Sequence, residues 1–307
     1  MKIAIIGAGG VGGYFGGKLA HVGYDVTFVA RGEHLKAIQQ NGLVVKSIHG
    51  DFKVESVKAT DSIKSIGAAD LIITSVKAWQ IKEIARELKD VINSNTTILP
   101  LQNGILATKE LVEFINRKNV VGGLCRIISK IESPGVINHL GLEPVIIFGE
   151  LDNSVTERIQ MINDVFSGAG IRSIISKDID ADLWEKFIAI CVSGLLAITK
   201  TTYGELRELK ETRQLMIDLF REIYLLSQKV GIKIDPDFVD RTVEAIDKVP
   251  YNNTSSLTRD VWAGKPSEIE YQNGTVVKLA QKYGIDVPIN RFVYSCILPM
   301  EKKARKQ

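Results

Sequence analysis

The chain is short of cysteine and histidine, has little excess charge, and contains no long apolar run. Its three cysteines, Cys125, Cys191 and Cys296, are far apart and form no C-x-x-C pair. This excludes a disulfide framework and fits reduced thiols, so a cytoplasmic protein is expected. The four histidines, His21, His34, His49 and His139, show no metal-ligand spacing, and no metal is expected. No segment approaches the ~18 consecutive apolar residues of a membrane span. Lys2 and the apolar run after it are interrupted at Gly7, so a strand is expected there rather than a signal peptide. Lysine and arginine number 39 against 36 acidic residues, with no basic stripe, which argues against a nucleic-acid partner. The basic end after Met300 reads as a solvated terminus. There is no internal repeat or low-complexity segment.

What is present suits an ordinary globular protein. At 307 residues and 45% hydrophobic content the chain can bury a large core without disulfides or metals, and it suits two domains better than one.

The most informative stretch is the first. An apolar run, Ile3 to Ile6, breaks into Gly7-x-Gly9-x-x-Gly12 and continues as a helix expected over Val11 to Ala20. A strand, a glycine turn and a helix amino terminus make an anion site, because free N–H groups point outward and the macrodipole favours negative charge. In such a turn Gly7 permits the tight bend, Gly9 lets a pyrophosphate approach, and Gly12 lets the helix pack against the strand. The motif alone is weak, but a second hydrophobic strand, Asp25 to Ala30, follows where a dinucleotide fold needs one. At its end stands Arg31, not the acid that binds a ribose 2′-hydroxyl. Arg31 reads as a clamp for the 2′-phosphate of NADP, since a guanidinium forks onto phosphate, or else as a solvated surface arginine. Glu33 lies nearby.

Further along, a helix is expected to about Gln40. A hairpin of Leu43–Ile48 and Phe52–Val57 follows, then buried strands at Asp70–Val76 and Thr96–Leu101. Lys77 and Asn103 fall at the carboxyl ends of these last two, where ligands bind in open α/β sheets. Strands are expected near Asn119–Gly122, Val145–Phe148 and Ile171–Ser176, with a helix at Ser154–Ser167. Strand–helix alternation then stops, which places a domain boundary near Lys177.

The remainder is helical in pattern. A helix is expected over Asp180–Thr199, apolar almost all round from Phe187 to Ile198 and therefore buried. Lys186 stands at its edge, either as an acid or base tuned by burial or as a snorkelling side chain. One long helix is expected over Gly204–Val230. Another begins at Asp235-Pro236, and another within Asn253–Asp260, ending at Gly264. Ser267-x-x-Glu270 reads as a capping box, with Glu268 in the first turn of the following helix and Asn273-Gly274 inside it, packed closely on another element.

With these residues the sequence resembles the ketopantoate reductase (2-dehydropantoate 2-reductase) family. The matching pieces, in order, are Gly7-Ala8-Gly9-Gly10-Val11-Gly12, Arg31, Ser75-Val76-Lys77, Gln102-Asn103-Gly104 and Trp184-Glu185-Lys186-Phe187. They continue with Asn253-x-Ser255-Ser256, Asp260 with Gly264, and Glu268-Ile269-Glu270 with Asn273-Gly274. The resemblance implies an α/β Rossmann-like dinucleotide-binding domain over 1–177. A 6-phosphogluconate dehydrogenase-like all-α domain would follow over 178–307. It implies NADPH/NADP held by Gly7, Ala8, Gly9, Gly10, Val11, Gly12, Arg31, Lys77, Asn103 and Glu268. It also implies a small 2-oxo acid bound by Lys186, Asn103, Asn253 and Ser256, with Lys186 as general acid. A homodimer is left open.

The chain departs from the family where asparagines are usual, carrying Ile190, Gly194 and Tyr203 instead. Fewer amides imply a more apolar pocket. Three functions are therefore carried forward: reduction of ketopantoate in pantothenate and coenzyme A synthesis, reduction of another 2-oxo acid, and non-enzymatic NADP sensing.

Overall fold

The computed structural model describes residues 1–306 and divides into two compact units. The first comprises Met1–Gln102 and Leu106–Ile179; the second comprises Asn103–Ile105 and Asp180–Gln307.

The first unit is built on β1 (Lys2–Ile6), α1 (Gly10–His21), β2 (Asp25–Val29) and α2 (Gly32–Asn41). After them come β3 (Leu43–Ser47), β4 (Phe52–Val54), β5 (Lys58–Thr60), β6 (Leu71–Thr74), α3 (Ile81–Leu88), β7 (Thr97–Pro100) and α4 (Ala107–Val112). One sheet is wholly parallel, in the order β5-β2-β1-β6-β7. Its central strand is buried on both faces. Ile3 and Ile5 pack with Phe15 and Leu19 of α1, while Ala4 and Ile6 pack with Ile81, Ile84 and Leu88 of α3. The period of two along a strand explains why such a run reads as continuously apolar.

The unit is completed by β8 (Gly122–Ser133), β9 (Val136–Gly149), α5 (Glu157–Gly168) and β10 (Arg172–Ile175). Together with β3 and β4 these strands form a second sheet, β10-β9-β3-β4, with β8 antiparallel to β9. This long hairpin corrects the expectation of a strand at Asn119–Gly122. Arg117–Asn119 is a 3-10 turn capped by the Asn116 side chain, and the strand starts at Gly122. Register shifts along the β8–β9 pairing break the alternation that would have marked it. The short β5 has no counterpart among the strands the sequence predicts.

The second unit is helical: α6 (Ile179–Ile190), which begins one residue before it, then α7 (Val192–Thr199), α8 (Tyr203–Glu208), α9 (Lys210–Val230), α10 (Phe238–Asp247), α11 (Ser256–Trp262), α12 (Asn273–Tyr283) and α13 (Pro288–Ala304). Residues Val192 to Ala197 of α7 are all buried, as its apolar sequence requires. The helix expected over Asp180–Thr199 is in fact two, interrupted at Cys191. The one expected over Gly204–Val230 also divides, because Leu209 is extended at ψ 127. A capping box does begin α8: Thr202 Oγ1 accepts from Glu205 N, and Glu205 Oε2 accepts from Thr202 N at 2.7 Å.

Ser267 and Glu270 form no capping box. The Ser267 backbone N–H and hydroxyl both donate to Glu301 Oε2, at 2.8 and 2.7 Å, while Glu270 accepts from Tyr294 and Lys278. Glu268 stands just before a single 3-10 turn, Ile269–Tyr271, without a side-chain cap bond, and Asn273-Gly274 opens α12 rather than lying inside it. The segment after Met300 is not simply solvated, since α13 runs to Ala304 and Glu301 is buried. Among the described residues no helix is long and apolar enough to cross a membrane.

Candidate active site

The glycine turn has the geometry its sequence demands. Gly7 has φ +102, a left-handed conformation that L side chains rarely adopt, and its N–H and that of Ala8 both donate to Val29 O. These bonds bind the end of β1 to the end of β2. At Gly12 a Cβ would stand 2.2 Å from both Gly7 O and Ser75 Oγ, so α1 can pack there only as glycine. Ser75 Oγ itself donates to Gly7 O at 2.7 Å. At Gly10 a Cβ would meet Ser129 O of β8 at 2.5 Å.

Gly9 differs. A Cβ there would meet nothing within 4 Å. It precedes α1 with no side-chain cap, and the first turn of α1 has no acidic residue. Among the described residues no side chain at the cap or in the first turn meets its leading N–H groups, which suits a phosphate. Gly7, Ala8, Gly9, Gly10, Val11 and Gly12 thus form one turn at the carboxyl edge of the parallel sheet. Arg31 and Lys77 follow the ends of β2 and β6 on the same edge. Arg31 is exposed at the start of α2, and Glu33 pairs with Lys36 at 2.8 Å. The Lys77 ammonium lies 5.8 Å from the centre of the Trp79 ring.

The other expected residues belong to the second unit. Asn103 Nδ2 donates to Glu268 Oε2 at 3.2 Å, joining two residues far apart in sequence. Gly104 beside it has φ +94, and a Cβ there would meet Tyr271 O at 2.7 Å. Lys186 is buried, 9% exposed, on α6, where Trp184 and Phe187 meet edge to face. Asn253 accepts through its carbonyl from Tyr203 N at 3.0 Å, so the residue that departs from the family adjoins the loop leading to Ser256. Ser256 is exposed at the start of α11, and it is Ser255 that caps the helix by accepting from Thr258 N. Burial pushes the Tyr203 phenol up to about 12, with Arg259 acting the other way, so it stays a neutral donor.

Two neighbours of the glycine turn escaped sequence reasoning. His34 Nε2 lies 2.8 Å from Ala8 O, and Gly135 N donates to His34 Nδ1 at 3.0 Å. The Ala8 contact joins residues 26 apart with no local sequence signal, and Gly135 is brought in by the β8–β9 hairpin.

A parallel sheet with a glycine turn at its carboxyl edge defines a dinucleotide-binding domain, here in a chain that also carries a helical unit. Family comparisons agree with that class. Residues 3–153 match the model for ketopantoate reductase PanE/ApbA, and residues 178–301 match that for its C-terminal domain. The chain belongs to the ketopantoate reductase family. It is 30% identical over 298 residues to the uncharacterized oxidoreductase YkpB of Bacillus subtilis, covering 96% of this chain and 97% of that one. It is 28% identical to the 2-dehydropantoate 2-reductase of Pyrococcus horikoshii over 98% of each. Among solved structures, the PanE/ApbA family ketopantoate reductase of Ralstonia eutropha superposes with a TM-score of 0.91 at 29% identity, covering 99% of this chain and 100% of that one.

Proposed function

We propose that the chain is an NADPH-dependent reductase that converts ketopantoate to pantoate, a cytoplasmic step toward pantothenate and coenzyme A. Buried Lys186, on a helix of a chain that also carries the uncapped glycine turn, is the observation that carries this reading. The glycine turn would hold the pyrophosphate, and Arg31 and Lys77 the adenosine phosphate end. When bound, the reduced nicotinamide supplies a hydride to the ketone carbon. The Lys186 ammonium donates a proton to the carbonyl oxygen and stabilises the negative charge growing there. Ser256 and Asn253 would bind the carboxylate of the 2-oxo acid, and Asn103 with Glu268 would orient the reacting groups.

A second reading keeps the reaction and changes the 2-oxo acid. Tyr203 favours it, since a bulky phenol replaces an amide beside the Asn253 loop. A spectrophotometric panel of 2-oxo acids with NADPH and NADH separates the two. Fastest turnover is expected for ketopantoate with NADPH. Another acid ranking first supports the second reading, and no oxidation of either nicotinamide with any acid removes both.

A further inference from the structure

His34 sits where three segments meet. It lies in the first turn of α2, three residues after Arg31. One ring nitrogen, Nε2, is 2.8 Å from Ala8 O in the glycine turn, and the other, Nδ1, accepts from Gly135 N at 3.0 Å. A carbonyl needs a donor and an N–H needs an acceptor, so the ring is neutral with its proton on Nε2. Gly135 closes the β8–β9 hairpin with φ +78 and is fixed in turn, since Val44 N donates to Gly135 O at 2.9 Å. Gly10 is pressed against Ser129 of the same hairpin. The hairpin therefore backs the glycine turn at two points, one direct and one through His34.

We propose that His34 is a positioning residue for the dinucleotide, its neutral imidazole holding the glycine turn and the Arg31 helix in one arrangement against the β8–β9 turn. This inference rests on the reading that the glycine turn binds the dinucleotide. A proton on Nδ1 would set a donor against the Gly135 N–H and break the tie. Burial holds the His34 pKa below the ordinary histidine value, with the bond to Ala8 O acting the other way. The glycine turn contributes no titratable group. The charged groups on the other two elements are exposed: Glu33 and Lys36 on α2 with Arg31 just before it, Arg126, Lys130 and Glu132 on β8, and Glu143 on β9, while the titratable ring of His139 on β9 is buried. Glu33 pairs with Lys36 and Glu132 with Lys46.

The test is titration of the full-length protein with NADP⁺ at about pH 8 and about pH 5, comparing wild type, His34→Ala and His34→Gln. A glutamine amide carries one donor and one acceptor and does not titrate. His34→Ala is expected to bind about tenfold more weakly at the higher pH, with kcat at saturating cofactor within about twofold of wild type. His34→Gln should recover most of that affinity. The 2′-phosphate also gains a proton near pH 6, so the informative quantity is the acid loss of wild type in excess of His34→Gln. Wild-type affinity in His34→Ala, or equal acid loss in wild type and His34→Gln, would overturn the proposal. Amide exchange at Gly135 reads the tie without any ligand: it should quicken in His34→Ala, and unchanged protection would also overturn the proposal. A wild type that binds no dinucleotide while Gly135 exchange still responds would overturn the cofactor reading itself, and this role with it.

Discussion

Gly194 in α7 lies so close to Asn273 in α12 that a Cβ on it would come within 2.6 Å of the Asn273 Oδ1. It would come equally close to Val293 Cγ1 of α13. The Asn273 amide cannot easily turn aside, since its Nδ2 donates to Cys191 O at 3.1 Å and to Asn290 Oδ1 at 3.0 Å. Glycine at 194 therefore belongs to a filled helix contact. Gly194→Asn should destabilise the protein by about 1–3 kcal/mol through overpacking and should not raise turnover of ketopantoate. Thermal unfolding and a turnover assay check both, and a stable variant with faster turnover would contradict the packing argument.

Arg31→Ala tests the phosphate clamp. A guanidinium paired with phosphate makes charge-assisted bonds worth about 1.5–3 kcal/mol. Affinity for NADPH should thus fall roughly tenfold to a hundredfold, while affinity for NADH changes little. Equal losses for both cofactors would leave Arg31 a surface residue.

Lys186→Ala tests the proton donor. Turnover should fall by about 10²-fold or more, the range of general acid catalysis. Circular dichroism should show the helical unit intact. A twofold loss would make Lys186 structural.

Glu150 offers a stability prediction apart from the site. Burial raises the pKa of its carboxyl, but the hydrogen bonds from Arg158 and Thr156 outweigh burial and leave it below the ordinary value. Arg158 Nε donates to Oε1 at 2.6 Å, Thr156 Oγ1 donates to the same oxygen at 2.6 Å, and Arg158 Nη2 reaches Oε2. A depressed folded pKa stabilises above the unfolded value, about 4.3, and that contribution is lost as pH falls through the folded value. Glu150→Gln should destabilise by about 1–3 kcal/mol at pH 7, nearer the lower figure because Arg158 keeps some solvent contact. The gap to wild type should narrow toward about pH 3. Urea unfolding at the two pH values measures it, and a constant gap would exclude the ion pair as its source.

The glycine turn, the parallel strands and the apolar α7 were legible because each is a local pattern: a period of two, a helix apolar all round, or a glycine spacing. Family membership was legible for a related reason, since short motifs in fixed order need no knowledge of contacts. Of the β8–β9 hairpin only the Val145–Phe148 end was legible, because register shifts along the rest erase the alternation by which a strand is recognised. Nor was the fate of Ser267 and Glu270, whose spacing suits a cap. Ser267 is instead bonded to Glu301, and Glu270 to Tyr294 and Lys278. The sequence by itself determined that a strand, a glycine turn and a helix open the chain, and that a lysine enters a buried helix. Only the tertiary structure decided that His34 ties the turn to Gly135 and that Asn273 fills the space beside Gly194. Such contacts join residues distant in the chain and depend on which surfaces pack together, which no local pattern records.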